Sequence, residues 1–179
     1  MKGSRSIVAA MIVGSALSAI PVAAQCSGSN SCSTTNTASV TVGALVKLEM
    51  SATTTSLTSP VVADLATGYV ADVGPSFVVH ANQDWTMSIK AAASNPTNWS
   101  YTGTKSGVKP IADLTWATDA GGSFAALTSS NATVTSSASS TDNTAVDLFF
   151  RTVYSSDYSA AKNRPGVYSL PVVFTLSAP

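Results

Sequence analysis

From Val40 onward the chain alternates. Val40, Val42, Ala44, Val46, Leu48 and Met50 occupy every second position, separated by Thr41, Gly43, Leu45, Lys47 and Glu49. A period of two puts one set of side chains on one face of an extended strand, whereas a helix needs apolar residues three and four apart. The spacing predicts a half-buried strand over 40–50, with Leu45 alone breaking its polar face. The far end mirrors it: Tyr168, Leu170, Val172, Phe174 and Leu176 alternate with Ser169, Pro171, Val173 and Thr175. Pro171 has no N–H to give a ladder, so this last strand is expected at a sheet edge.

Between these ends the signals are shorter. Val61 to Leu65 follows Pro60, Tyr69 to Val73 follows Gly68, and Phe77, Val79 and Ala81 follow the Gly74-Pro75 break. Asn82-Gln83-Asp84 reads as a tight turn into Trp85, Met87 and Ile89, giving an expected hairpin. Trp99 and Tyr101 follow the Asn95-Pro96 turn, and Leu114 with Trp116 marks another strand. Residues 128–144 read as a loop or a weak exposed strand around Val134. Val146, Leu148, Phe150 and Thr152 then share one face of a strongly β segment. No helical pattern stands out after the first 24 residues. The expected fold is an all-β, immunoglobulin-like antiparallel β-sandwich of about 7–9 strands. Its expected core holds Trp85, Met87, Ile89, Trp116, Leu148, Phe150, Tyr168, Leu170, Val172 and Phe174.

The first 24 residues follow a different logic. Lys2 and Arg5 precede the apolar run Ile7–Ile20, and Pro21-Val22-Ala23-Ala24 supplies small residues for a cut before Gln25. That order is the order of a secretory signal peptide, and the run is shorter than the roughly 20 residues a membrane span needs. The expected organisation is a signal peptide over 1–24, a flexible Ser/Thr/Asn-rich leader over 25–38 and one β-sandwich domain over 39–179. The leader holds both cysteines, Cys26 and Cys32. In an oxidising compartment they are expected to pair, a local staple worth about 2 kcal/mol given so short a loop.

Composition narrows the function. The 179 residues carry nine basic and nine acidic side chains, only 10% are charged, and 51 are Ser or Thr. Loss of residues 1–24 removes Lys2 and Arg5, leaving seven basic against nine acidic side chains and a formal charge of −2. No basic footprint for nucleic acid exists in that balance. The polar surface is mostly hydroxyl.

Motifs for catalysis are missing. The chain has no Gly-x-Ser-x-Gly, no His-Glu-x-x-His and no phosphate-cradling glycine loop. His80 is the only histidine and alternates opposite Phe77 and Val79, which predicts a solvent-facing strand residue. Glu49 is the only glutamate, and Asp84, Asp119, Asp142 and Asp157 sit in turn contexts, where Asp bonds local backbone. No catalytic residue, cofactor or metal is therefore expected. The tryptophans leave one candidate surface: Trp99 and Tyr101, in Asn98-Trp99-Ser100-Tyr101, as an exposed platform for stacking on a ligand such as a sugar.

Two stretches carry a resemblance. Asn82-Gln83-Asp84-Trp85-Thr86-Met87-Ser88-Ile89 is one, and Pro165-Gly166-Val167-Tyr168-Ser169 with the alternating strand to Pro179 is the other. Together they resemble secreted bacterial pilin-like and spore-coat-U-like domains over about a third of the chain. The resemblance implies an immunoglobulin-type sandwich that assembles on cell surfaces. The chain differs from chaperone–usher pilins in carrying its cysteines in the leader. The expected function is a non-catalytic, exported structural or adhesive subunit, periplasmic, cell-surface or extracellular, assembling by edge-strand pairing. Its expected partners are other copies of itself or surface and fibre proteins, with no nucleic acid and no membrane span in the mature chain. The alternative is a secreted carbohydrate- or surface-binding module with glycans as partners.

Overall fold

A computed structural model describes residue 28, residues 30–33 and residues 35–179. The expected signal peptide and Cys26 lie outside the described residues. Two compact units divide the chain, Met1–Thr41 and Val42–Pro179. In the first, the described residues are exposed and carry no helix or strand. The second holds ten strands: β1 Val46–Met50, β2 Tyr69–Ala81, β3 Trp85–Ala91, β4 Ser100–Thr102, β5 Leu114–Ala117, β6 Ala125–Ala126, β7 Ala132–Ser137, β8 Thr141–Val153, β9 Val167–Ser169 and β10 Val172–Ser177. The fold is all-β and every ladder is antiparallel. Ten strands exceed the expected 7–9 because Leu170-Pro171 splits the last strand into β9 and β10 and because Ala125–Ala126 adds a two-residue edge.

Two sheets supply one core. The larger runs β1-β2-β8-β5-β6, the smaller β10-β3-β7, and β4 with β9 forms a separate ribbon. Strand alternation decides what is buried. Phe77 and Val79 of β2, Trp85, Met87 and Ile89 of β3, and Val146, Leu148 and Phe150 of β8 are almost fully inaccessible. Tyr168, Leu170, Val172 and Phe174 pack against this cluster while remaining half-buried. Phe77 and Phe174 bring the two sheets together, their ring centroids 4.6 Å apart at an interplanar angle of 54°. Leu148 is wholly buried, so Leu148→Ala should lower the unfolding free energy by about 3 kcal/mol through lost burial and a residual cavity. Urea titration checks this: the midpoint falls while the slope stays unchanged.

Asn82-Gln83-Asp84 is not a hairpin turn. β2 pairs with β1 and β8, whereas β3 pairs with β10 and β7. The turn instead carries the chain from one sheet to the other, and Phe77, Val79 and Ala81 join Trp85, Met87 and Ile89 in one core cluster. Period-two alternation is the same for either arrangement. Gly74-Pro75 likewise does not end a strand: β2 runs through it with a register shift between Val73 and Ser76, where a residue lacking an N–H is tolerated.

The stretch after Pro60 is helical rather than extended, α1 over Val62–Thr67. Asp64 accepts the Val61 N–H at 2.8 Å at the start of the helix. Gly68 ends it in the left-handed region at φ 84°, a conformation that favours glycine. Residues 128–144 hold β7, which pairs with β3, and the first residues of β8. β10 is an edge strand, as expected, although Pro171 itself lies just before it and outside the ladder.

Candidate functional site

The N-terminal strip departs from its expected form. Only Val46–Met50 of the alternating stretch 40–50 is strand. The reason lies in its partner: β1 pairs with β2 from Val46 opposite Ala81 to Met50 opposite Phe77, and β2 ends at Ala81. Beyond that point the Asn82 side chain stands in for a strand. Its Oδ1 accepts the Leu45 N–H at 2.8 Å, its Nδ2 donates to the Gly43 carbonyl at 2.9 Å, and its own backbone N–H donates to the Leu45 carbonyl at 3.1 Å. These bonds guide the backbone but cover no side chain. In the first unit Val40 is 87% exposed; in the second, Val42 is 68% and Leu45 62% exposed. Within β1 only Leu48 reaches the core cluster.

Trp99 is not an exposed platform. It is buried, its backbone N–H donates to the Lys109 carbonyl, and its Nε1 donates to the Pro110 carbonyl at 3.0 Å. Its polar neighbours Asn98 and Ser100 are exposed, and the indole between them turns inward. Tyr101 lies on β4, packs against Tyr168 of β9 with centroids 4.7 Å apart and ring planes tilted by 44°, and donates its hydroxyl to the Pro165 carbonyl at 2.7 Å. A Cβ at Gly166 would fall 2.5 Å from the Tyr101 ring and 2.6 Å from the Thr102 carbonyl oxygen. The Gly-x-Tyr of the terminal segment is thus a packing device for the β4–β9 ribbon.

A buried cation sits beside Trp99. Lys109 is 1% exposed, the least expected member of the interior. Its ammonium donates to the Val153 carbonyl, stands 4.1 Å from the Tyr154 ring centroid and 5.9 Å from that of Trp99, and lies 3.7 Å from Asp113 Oδ2. Lys162 meets the other oxygen of Asp113 at 3.0 Å. Burial is the main cause that pushes the Lys109 pKa from 10.5 down to about 8, against the attraction of Asp113. Burial likewise raises the Tyr154 phenol, followed by the charge of Asp72. No sequence motif announces this cluster. The only signal is a Lys followed four residues later by an Asp, across a Pro.

His80 lies between two carboxylates. Its Nδ1 is 3.5 Å from Asp142 Oδ1 and its Nε2 is 4.0 Å from Glu49 Oε2. Glu49 is paired with Lys47, whose hydrogen bond is the chief cause holding the carboxyl below its ordinary range. The His80 side chain is about one-third exposed. Asp119 and Asp157 close their own turns, accepting the Gly121 and Ser159 N–H groups at 2.9 and 2.8 Å. Among the described residues no cluster of three or more His, Cys, Asp or Glu side chains is arranged for a metal ion. Cys32 is disulfide-bonded, and Cys26, its expected partner, lies outside the described residues. Among the described residues no helix is long and apolar enough to cross a membrane. Neither a protein-family model nor a curated protein sequence matches the chain.

Proposed function

We propose that the chain is a non-catalytic, exported structural or adhesive subunit that assembles with other copies of itself through its N-terminal strip. One observation carries this: the strip beside β1 has the alternation of a strand, yet its apolar side chains at Val40, Val42 and Leu45 are exposed. A segment with strand alternation and exposed apolar side chains can be covered by adding it to an open sheet edge. The chain offers such edges at β10 and β7. A strip from one copy on an edge of the next is a head-to-tail contact, which builds an open fibre rather than a closed ring. The signal-like first 24 residues support an exported location, periplasmic, cell-surface or extracellular. The resemblance to pilin-like domains agrees with the same reading. No observation favours the glycan-binding alternative, since Trp99 is buried.

Two lysines test it. Val40 and Val42 are exposed in the single chain, so Val40→Lys with Val42→Lys should leave the melting temperature within about 2 °C. The same pair places charge on a strand that has to pair with an open edge, and edge lysines oppose such pairing. Sedimentation velocity should show the higher species of the unmodified mature protein collapsing to monomer in the double variant. Unchanged higher species in that variant would overturn the proposal.

A further inference from the structure

A cavity of about 920 Å³ opens beneath the chain segment Ala52–Pro60. Its size falls within the range of small-molecule sites, which combine apolar walls with a few placed polar groups. Leu57, Phe150, Leu170 and Phe174 supply apolar wall, and Trp99 and Tyr154 supply aromatic wall. Three of the nine basic side chains of the chain, Lys109, Lys162 and Arg164, line the same space. No Asp or Glu is among its lining residues.

The charges are unevenly answered. Asp113 stands behind the wall and is shared by Lys109 and Lys162, at 3.7 and 3.0 Å. Arg164 enters none of the ion pairs among the described residues, although its charge helps hold the Asp157 carboxyl low, behind the larger effect of Ser159. Thr152, another lining residue, is 2% exposed and its Oγ1 has no hydrogen-bond partner. Buried hydroxyls are ordinarily satisfied, and one left over beside a cavity marks a place where a partner fits.

The geometry points to this cavity as a binding site for a small organic anion, one carboxylate or sulfonate head on an aliphatic or aromatic body. The head meets Lys162 and Arg164 at the cationic end, and the body lies along the apolar wall. A strand from a second copy suits the space less well. The exposed strip Val40–Leu45 carries no anionic side chain to answer the cations. The inference does not rest on the assembly proposed above, because it concerns each folded copy by itself.

Two fluorescent probes that differ in charge provide the test: 8-anilinonaphthalene-1-sulfonate and its neutral analogue N-phenyl-1-naphthylamine, each titrated into the mature protein. The sulfonate should bind saturably at one site per chain, about tenfold more tightly than the neutral probe, as a charge-assisted contact allows. Lys162→Gln with Arg164→Gln should remove that preference and leave the neutral probe unchanged. Leu57→Trp, which adds bulk to the apolar wall and leaves the charges unchanged, should weaken both probes. Equal affinity for the two probes, a preference that survives the double variant, or binding indifferent to Leu57→Trp would each overturn the inference.

Discussion

Lys109→Ala should be among the most damaging single substitutions in the chain, with a loss of about 3 kcal/mol or more in unfolding free energy. The side chain is 1% exposed and anchors three groups at once: the Val153 carbonyl, the Tyr154 ring and Asp113. Truncation leaves the Val153 carbonyl without this donor, removes one of the two cations facing Asp113, and strips a four-carbon stem from beside Trp99. Chemical denaturation at pH 7 measures the effect. A loss below about 1 kcal/mol, the size of an ordinary surface change, would contradict the packing described.

The same residue predicts an unusual pH dependence. Its pKa is about 8 in the folded chain, against an ordinary 10.5. Between those values the unfolded chain holds a proton that the folded chain has released, so stability rises with pH. Below about pH 8 both states are protonated, and the cost of burying the charge is present in full. The unfolding free energy should therefore climb by about 2 kcal/mol from pH 8 to pH 10. Toward higher pH Tyr154 opposes this rise, because its burial-raised phenol keeps its proton in the fold longer than it does unfolded. Lys109→Met keeps most of the stem, removes the charge and should flatten the rise.

How much of this was readable in the sequence differs by element. β3 and β8 were, because Trp85-Met87-Ile89 and Val146-Leu148-Phe150 alternate cleanly and alternation determines which face is buried. Sheet membership was not. Asn82-Gln83-Asp84 reads alike whether it joins two paired strands or passes between sheets, since the inward positions are the same. α1 spans six residues, too short for a 3.6-residue period to register. Lys109 is not legible because a lysine ordinarily signals solvent, and here its partners come from residues 44 positions away and four positions on. The burial of Trp99 is hidden for a related reason: its neighbours are polar, but the Pro110 carbonyl that receives its indole N–H lies 11 residues on. The sequence shows the alternation of the apolar strip 40–50 but not the extent of its strand, because the end of β2 sets where pairing stops.

That strip leads to the second large effect. Removal of residues 25–45 from the mature chain should abolish self-assembly altogether while leaving the domain folded. β1 begins at Val46 and keeps its five pairings with β2, and Leu48 keeps its place against the core. Among the described residues, the hydrogen bonds lost to the rest of the domain are those between Asn82 and Gly43 and Leu45. The two made by the Asn82 side chain are solvent-exposed, and hydrogen bonds of this kind contribute about 1 kcal/mol each. A folded monomer is thus the expected product of the deletion, and it retains the open edges that receive a strip. Added to the mature protein in excess, it should occupy growing ends without extending them and shorten the assemblies.

Size-exclusion chromatography with light scattering on residues 25–179 and residues 46–179 compares the two states directly. The prediction is a concentration-dependent series of multimers for the longer chain and a single monomeric mass for the shorter one, with the same melting temperature within a few degrees. A single monomeric mass for both chains at every concentration would contradict assembly through the N-terminal strip.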